Sequence, residues 1–281
     1  MSDLSGQRVL VLGLGVSGKS AAAFCAAEGA LVVAADERPE AELEGLGALP
    51  ASVSVQVGEP FPDAAGFDLV VPSPGVPRER YRARARRAWG DVELAFRALA
   101  VPVVAVTGTN GKSTTVCLIE EMLRAAGLRA LAAGNLGEPA LGLVGRPIDV
   151  AVLEVSSFQL ETIDAFRPRV SVLLNLSEDH LDRHGTLEEY ISAKRGIFAR
   201  QEAEDVAVLN GDDPRVTALQ AGIRAEIRSF RRFTPSESGA WWDGGAAVLR
   251  AGGEEIRLTL EGIELGRGYP VSYTHLRAHE T

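Results

Sequence analysis

Twice along this 281-residue chain a short apolar run ends in a glycine-rich loop that opens onto a helix-forming stretch. The first run is Arg8-Val-Leu-Val-Leu12, followed by Gly13-Leu-Gly15-Val16-Ser17-Gly18-Lys19-Ser20. The second is Val101-Pro-Val-Val-Ala-Val-Thr107, followed by Gly108-Thr109-Asn110-Gly111-Lys112-Ser113-Thr114. Apolar runs this short predict strands buried on both faces. Repeated strand, helix and strand predicts crossover connections and a parallel sheet, so the expected class is α/β.

The rest of the pattern extends both units. Helices are expected over 20–28 and 113–126, each closed by a glycine, Gly29 and Gly127. Strands are expected over 31–35, 53–57, 68–71, 150–155, 170–174 and 206–209. Beyond about residue 225 short alternating runs at 247–250 and 255–260, separated by glycine pairs, predict hairpins. The turn-rich Pro72-Ser73-Pro74-Gly75-Val76-Pro77 precedes a basic run, 78–87, with seven charged residues, expected as a solvated surface helix. The first domain boundary is placed near Gly90.

With 46% hydrophobic and 24% charged residues, a disordered or fibrous chain is excluded. The net charge of -9 argues against general binding to a phosphate backbone, though local glycines and lysines can still hold a small anion. Cys25 and Cys117 are expected as buried, reduced thiols. There is no apolar run of membrane-spanning length and the start lacks a secretion signal, so the cytoplasm is the expected compartment.

Both loops offer backbone N–H groups at a helix N-terminus, where the helix dipole favours an anion. The first satisfies both the dinucleotide pattern G-x-G-x-x-G and the strict P-loop pattern G-x-x-x-x-G-K-S. The second fails the strict P-loop pattern, because Val106 stands where a glycine is required. Yet Thr107, Thr109, Ser113 and Thr114 surround Lys112 with hydroxyls suited to phosphate oxygens and Mg²⁺. The first has Asp36 at the end of the next strand, placed to accept from ribose hydroxyls. The second loop is therefore assigned to ATP and the first to a nucleoside diphosphate group. Downstream, Glu154 and His180 follow strands whose carboxyl ends gather beside the second loop. Lys194 sits in a plausible amphipathic helix over 188–198, and composition gives no reason to single it out.

The ordered set Thr107–Thr114, Gly134-Asn135-Leu-Gly137, Glu154-Val-Ser-Ser-Phe-Gln-Leu-Glu161 and Asn175-Leu-Ser-Glu-Asp-His-Leu-Asp-Arg183 resembles the ATP-dependent Mur ligases, which build the peptide of the bacterial cell-wall precursor. With Gly13–Gly18, Asp36-Glu-Arg38 and Ser73-Pro-Gly75, the set is similar to the branch that adds D-glutamate to UDP-N-acetylmuramoyl-L-alanine. The resemblance implies an N-terminal Rossmann-like domain at 1–90 for the UDP substrate and a central P-loop-type ATP-binding domain at 91–270. It implies that Gly15, Val16, Ser17, Asp36, Arg38, Ser73 and Gly75 contact the UDP part of the substrate, and Asn135 and His180 its muramoyl part. It places Gly108, Thr109, Asn110, Gly111, Lys112, Ser113 and Thr114 on ATP. It makes Ser113, Glu154, His180 and a carbamylated Lys194 the Mg²⁺ ligands, with Lys112, His180 and Lys194 catalytic. The implied chemistry is an acyl phosphate that the amine of D-glutamate then opens, on a monomer.

The resemblance covers residues 8 to about 215. The family's asparagine-rich segment, which joins its second domain to a third α/β unit that binds D-glutamate, is not recognisable after about Gly262. The chain is therefore expected to lack that domain, to turn over poorly alone, and to end at 271–281 in a foreign or disordered tail that holds His275 and His279. Two other readings compete: an NAD-dependent oxidoreductase using the first loop and Asp36, and a non-catalytic nucleotide-binding module. The first leaves Thr107–Thr114 unexplained.

Overall fold

The computed structural model describes residues 4–259 apart from Leu136, Phe233, Gly244 and Gly245. The expected tail with His275 and His279, and the last residue of the 255–260 run, lie outside the described residues.

The first unit is a four-stranded parallel sheet. Its elements run β1 (Arg8–Leu12), α1 (Val16–Ala27), β2 (Leu31–Asp36), β3 (Ser54–Val57) and β4 (Leu69–Pro72), in the sheet order β3-β2-β1-β4. The chain leaves β1 toward β2 on one side and returns to β4 on the other. The loops after β1 and β4 therefore flank a topological switch point, where α/β sheets hold ligands. Helix α1 packs by its small residues, with Gly18, Ala21, Ala22 and Cys25 buried. It starts at Val16, four residues earlier than expected, because the glycine loop itself forms the first helical turn behind Gly15.

The expected surface helix over 78–87 does not form. One 3-10 turn, Arg78–Arg80, is followed by irregular turns that bury Tyr81, and Ala88 then bridges beside Val70 of β4. Arginines at 78, 82 and 86, and at 80 and 84, would stack like charges four apart on a helix. Instead Arg87 and Arg97 pack on Trp89, at 4.5 and 3.9 Å from the indole ring.

The second unit begins with α2 (Asp91–Ala98), which the sequence reading left unassigned. It continues through β5 (Val103–Thr107), α3 (Lys112–Ala125), β6 (Ala130–Gly134), β7 (Val150–Glu154), α4 (Ser157–Leu160), β8 (Val170–Leu173), α5 (Leu181–His184), α6 (Leu187–Arg195), β9 (Val206–Asn210) and α7 (Pro214–Thr217). It ends with β10 (Glu226–Arg231), β11 (Gly239–Trp242), β12 (Ala246–Ala251) and β13 (Glu254–Thr259). Its nine strands run β13-β12-β11-β10-β9-β8-β5-β7-β6. From β6 to β11 neighbours are parallel, and β12 and β13 close the edge as the expected antiparallel hairpin.

One apolar cluster joins both units, from Val9, Val11 and Ala22 through Val92 and Leu94 of α2 to Ala140, Leu153 and Leu173. Two buried carboxylates anchor α2 within it. Glu93 accepts from the backbone N–H groups of Asp164, Ala165 and Phe166 at 2.8, 2.9 and 3.0 Å. Asp91 accepts from Gln159 Nε2 and from Ser17 of the first glycine loop. Burial raises the Asp91 carboxyl above the usual carboxylate range. Cys25 is buried and its thiol is pushed up to about 12, whereas Cys117 is only half-buried, contrary to expectation. Among the described residues no helix is long and apolar enough to cross a membrane.

Candidate active site

The first loop is built around backbone, not charge. Gly13 has φ +81°, and a Cβ on Gly18 would lie 1.8 Å from the Gly13 carbonyl oxygen, so only glycine lets the helix approach the strand. Ser73 Oγ donates to Gly13 O at 2.7 Å, tying the turn after β4 to the loop after β1. Asp36, the expected ribose acceptor, also ties the loop together. Its carboxylate accepts from Leu14 N at 2.7 Å and from Arg38 N, Nε and Nη2 at 3.0, 3.0 and 2.8 Å. Those bonds, the Arg38 guanidinium first, hold the carboxyl at about 2. Asp36 thus shapes the loop and presents Arg38. Lys19, the lysine of the strict P-loop pattern, is engaged elsewhere: its Nζ donates to Glu44 O at 2.5 Å.

The second loop lies at the carboxyl end of β5. Gly108 and Gly111 have φ +154° and +83°, and a Cβ on Gly108 would come 2.9 Å from Leu174 Cβ. The loop is laced to the chain after β8, with Thr109 N donating to Asn175 O and Asn110 N to Asn175 Oδ1, at 3.1 and 2.8 Å. Here the lysine does belong to its loop: Lys112 Nζ donates to Gly108 O and Thr109 O at 3.1 and 2.9 Å. Burial lowers the Lys112 pKa, while the charges of Glu154 and Asp179 oppose the fall. This contrast between Lys19 and Lys112 separates two loops that a pattern match confuses.

Two of the four expected phosphate hydroxyls face inward. Thr107 Oγ1 accepts from Lys194 Nζ at 3.3 Å, and Thr109 Oγ1 bonds the Tyr190 hydroxyl at 3.0 Å. Ser113 Oγ donates to Glu154 Oε2 at 2.6 Å, and Glu154 Oε1 accepts from Asn135 Nδ2 at 2.8 Å. The structure thus brings together Ser113, Glu154 and Asn135 from α3, β7 and the end of β6. Gly134 makes the approach possible, since a Cβ there would lie 2.2 Å from Glu154 O.

Lys194 departs most from its bland sequence context. It is 2% exposed, with Nζ 2.9 Å from Gly108 O and 4.8 Å from the Tyr190 ring centre. Burial pushes its amine down to about 7, and the charge of Lys112 adds to the fall. His180 sits just before α5 in a left-handed conformation, φ 53°, with its ring 5.1 Å from the Phe158 ring.

Among the described residues no group of three or more His, Cys, Asp and Glu could hold a metal ion. The donor pair that does exist, the Ser113 hydroxyl and the nearly buried Glu154 carboxylate, is made of hard oxygens and fits Mg²⁺ with phosphate oxygens completing its shell. His180 Nε2 lies 3.5 Å from Asp179 Oδ2.

Four residues near the site have roles that the sequence does not assign, two of them, Gln159 and Arg183, inside the motifs. Asp91 joins Gln159 to Ser17 of the first unit, Tyr190 backs both Thr109 and Lys194, and Arg183 reaches the turn after β4. The legible signals were Asp91, a carboxylate opening a helix beside a domain boundary, and the place of Gln159 and Arg183 within the 154–161 and 175–183 motifs.

The chain belongs to the Mur ligase family: residues 106–266 match the Mur ligase middle domain, and residues 7–90 match the Mur ligase MurD-like N-terminal domain. It is 45% identical over 264 residues to the UDP-N-acetylmuramoylalanine–D-glutamate ligase of Pelotomaculum thermopropionicum, covering 90% of this chain and 58% of that protein. It is 47% identical over 253 residues to the same-named ligase of Anaeromyxobacter dehalogenans, covering 86% of this chain and 54% of that one. The chain therefore spans little more than half the length of these relatives. The fold is shared with the UDP-N-acetylmuramate:L-alanyl-gamma-D-glutamyl-meso-diaminopimelate ligase from Neisseria meningitides, at a TM-score of 0.55, 20% identity and coverage of 91% of this chain and 87% of that one.

Proposed function

We propose that this chain carries the UDP-substrate and ATP sites of a ligase that joins D-glutamate to UDP-N-acetylmuramoyl-L-alanine, in the cytoplasm. The observation that carries this reading is the grouping of Lys112, Ser113, Glu154 and Lys194 at one sheet edge, with a second glycine loop across the switch point of the neighbouring sheet. The names of the relatives support the substrates.

In this reading the α3 N-terminus and Lys112 bind the phosphates of ATP. Lys112 moves from its own loop carbonyls to the phosphoryl oxygens, where charge develops as the substrate carboxylate attacks the γ-phosphorus and ADP leaves. Ser113 and Glu154 would hold Mg²⁺, which supplies charge neutralisation on those oxygens. Asn135, fixed by Glu154, would orient the muramoyl substrate. In its neutral form the Lys194 amine can add to CO₂ and give up a proton to solvent, leaving a carbamate anion beside the loop. The amine of D-glutamate then attacks the acyl carbon and phosphate departs. The turn Ser73–Gly75, Arg38 and the amides of 15–17 would hold the UDP diphosphate and base.

Calorimetric titration of this chain with UDP, Mg·ADP and NADH tests the reading. UDP and Mg·ADP are expected to bind independently, and Lys112→Ala is expected to abolish only Mg·ADP binding. Micromolar NADH binding with no response to UDP would overturn it in favour of an oxidoreductase.

A further inference from the structure

We propose that Arg183 is a positioning residue for the UDP-bearing substrate, acting through the turn after β4. The inference rests on the assignment of the first loop and that turn to a nucleoside diphosphate.

Arg183 lies in the short helix α5, three residues beyond His180. Its guanidinium crosses between the two units. Nη1 donates to Pro74 O and Gly75 O at 3.3 and 3.1 Å, and Nη2 donates to Val76 O at 3.4 Å. From the other side, its guanidinium carbon stands 4.4 Å from the centre of the Phe158 ring in α4. The ring fixes the plane of the fork, and the fork caps three successive carbonyls of one turn. Only a planar, permanently charged group with several fixed donors does this; an ammonium has neither the plane nor the spread.

The turn transmits what Arg183 imposes. Val76 N donates to Ser73 O at 2.9 Å, and Ser73 Oγ donates to Gly13 O at 2.7 Å. A continuous path thus runs from the His180 segment through Arg183 and the 73–76 turn to the first glycine loop. The same cleft is lined by Ser73, Tyr81, Asp91, Gln159, Glu161 and Arg183, which come from both units. Arg183 thus ties the segment that carries His180 to the turn beside the first loop.

Two readouts on this chain test the proposal, with Arg183→Met removing the fork and Arg183→Lys keeping only the charge. Hydrogen exchange in peptides covering 73–76 and 13–18 is expected to accelerate in both variants. The dissociation constant for UDP is expected to rise about tenfold in Arg183→Met and by less in Arg183→Lys, the size typical of losing a charge-assisted contact. Mg·ADP affinity is expected to stay within about twofold. Unchanged exchange, or unchanged UDP affinity, overturns the positioning role. Parallel loss of both nucleotides with a large fall in melting temperature also overturns it, since that marks a merely structural contact. Failure of the unsubstituted chain to bind UDP refutes the first-loop assignment and this inference with it, and is recognised because it is already present before any substitution.

Discussion

At the residue scale, burial decides what two ionisable groups do. Lys194 is ordinary in sequence: a lysine near the end of a helix, where solvation is the default. The fold instead buries it under Tyr190 and beside Lys112, and its amine titrates near 7. Below that pH the ammonium predominates; above it the free amine is available to CO₂. A ¹³C carbamate resonance from labelled bicarbonate is expected to grow as pH rises through about 7, and to vanish in Lys194→Met. A resonance independent of Lys194 would remove this assignment. Asp36 shows the opposite sign. Its carboxyl is held at about 2 against an ordinary 3.8, so its ionised form stabilises the fold at neutral pH. That contribution, about 2 kcal/mol, is present above the ordinary value and lost as pH falls toward 2. The gap in unfolding free energy between the native chain and Asp36→Asn is expected to be flat above about pH 5 and to close in acid. A gap that widened in acid would contradict it.

At the element scale, α2 is held by carboxylates as well as by its apolar face. Glu93 is fully buried and satisfies three amides at once, with Arg97 one turn along at 2.5 Å. Glu93→Ala strands those donors and is expected to cost about 3 kcal/mol or more in urea unfolding, with Glu93→Gln costing less. A loss below about 1 kcal/mol would mean that water replaces the carboxylate. Such elements also mark the limit of what the chain discloses before folding. The β1, β5 and β7 strands and the two glycine loops are legible because buried parallel strands are apolar throughout and because close helix approach demands glycine at fixed places. Glu154 is legible for the same reason, as a charge ending such a strand. What stayed hidden depends on contacts distant in sequence. The inward turn of Thr107 and Thr109 is set by Lys194 and Tyr190, more than eighty residues away. At 78–87 the arginine spacing already opposes a helix, but the burial of Tyr81 and the bridge to β4 that take its place are not legible locally.

At the scale of the whole molecule, the two sheets share one apolar cluster. Unfolding is therefore expected as a single cooperative transition. UDP and Mg·ADP, each present at about a hundred times its dissociation constant, should both move that one transition, each by about 2.7 kcal/mol. Two separable transitions in calorimetry, each responding to one nucleotide alone, would show that α2 does not weld the units together.

His180 is the non-glycine residue with positive φ among the described residues, and its backbone would sit more easily with another side chain. Position 180 therefore sets two selections against each other. A library randomised there and sorted for folding alone should fill with glycine and asparagine, which tolerate that geometry. The same library sorted for catalysis in a full-length relative should return histidine. The distance between the two outcomes would measure, in one codon, how far the chain has been shaped for work and not for endurance.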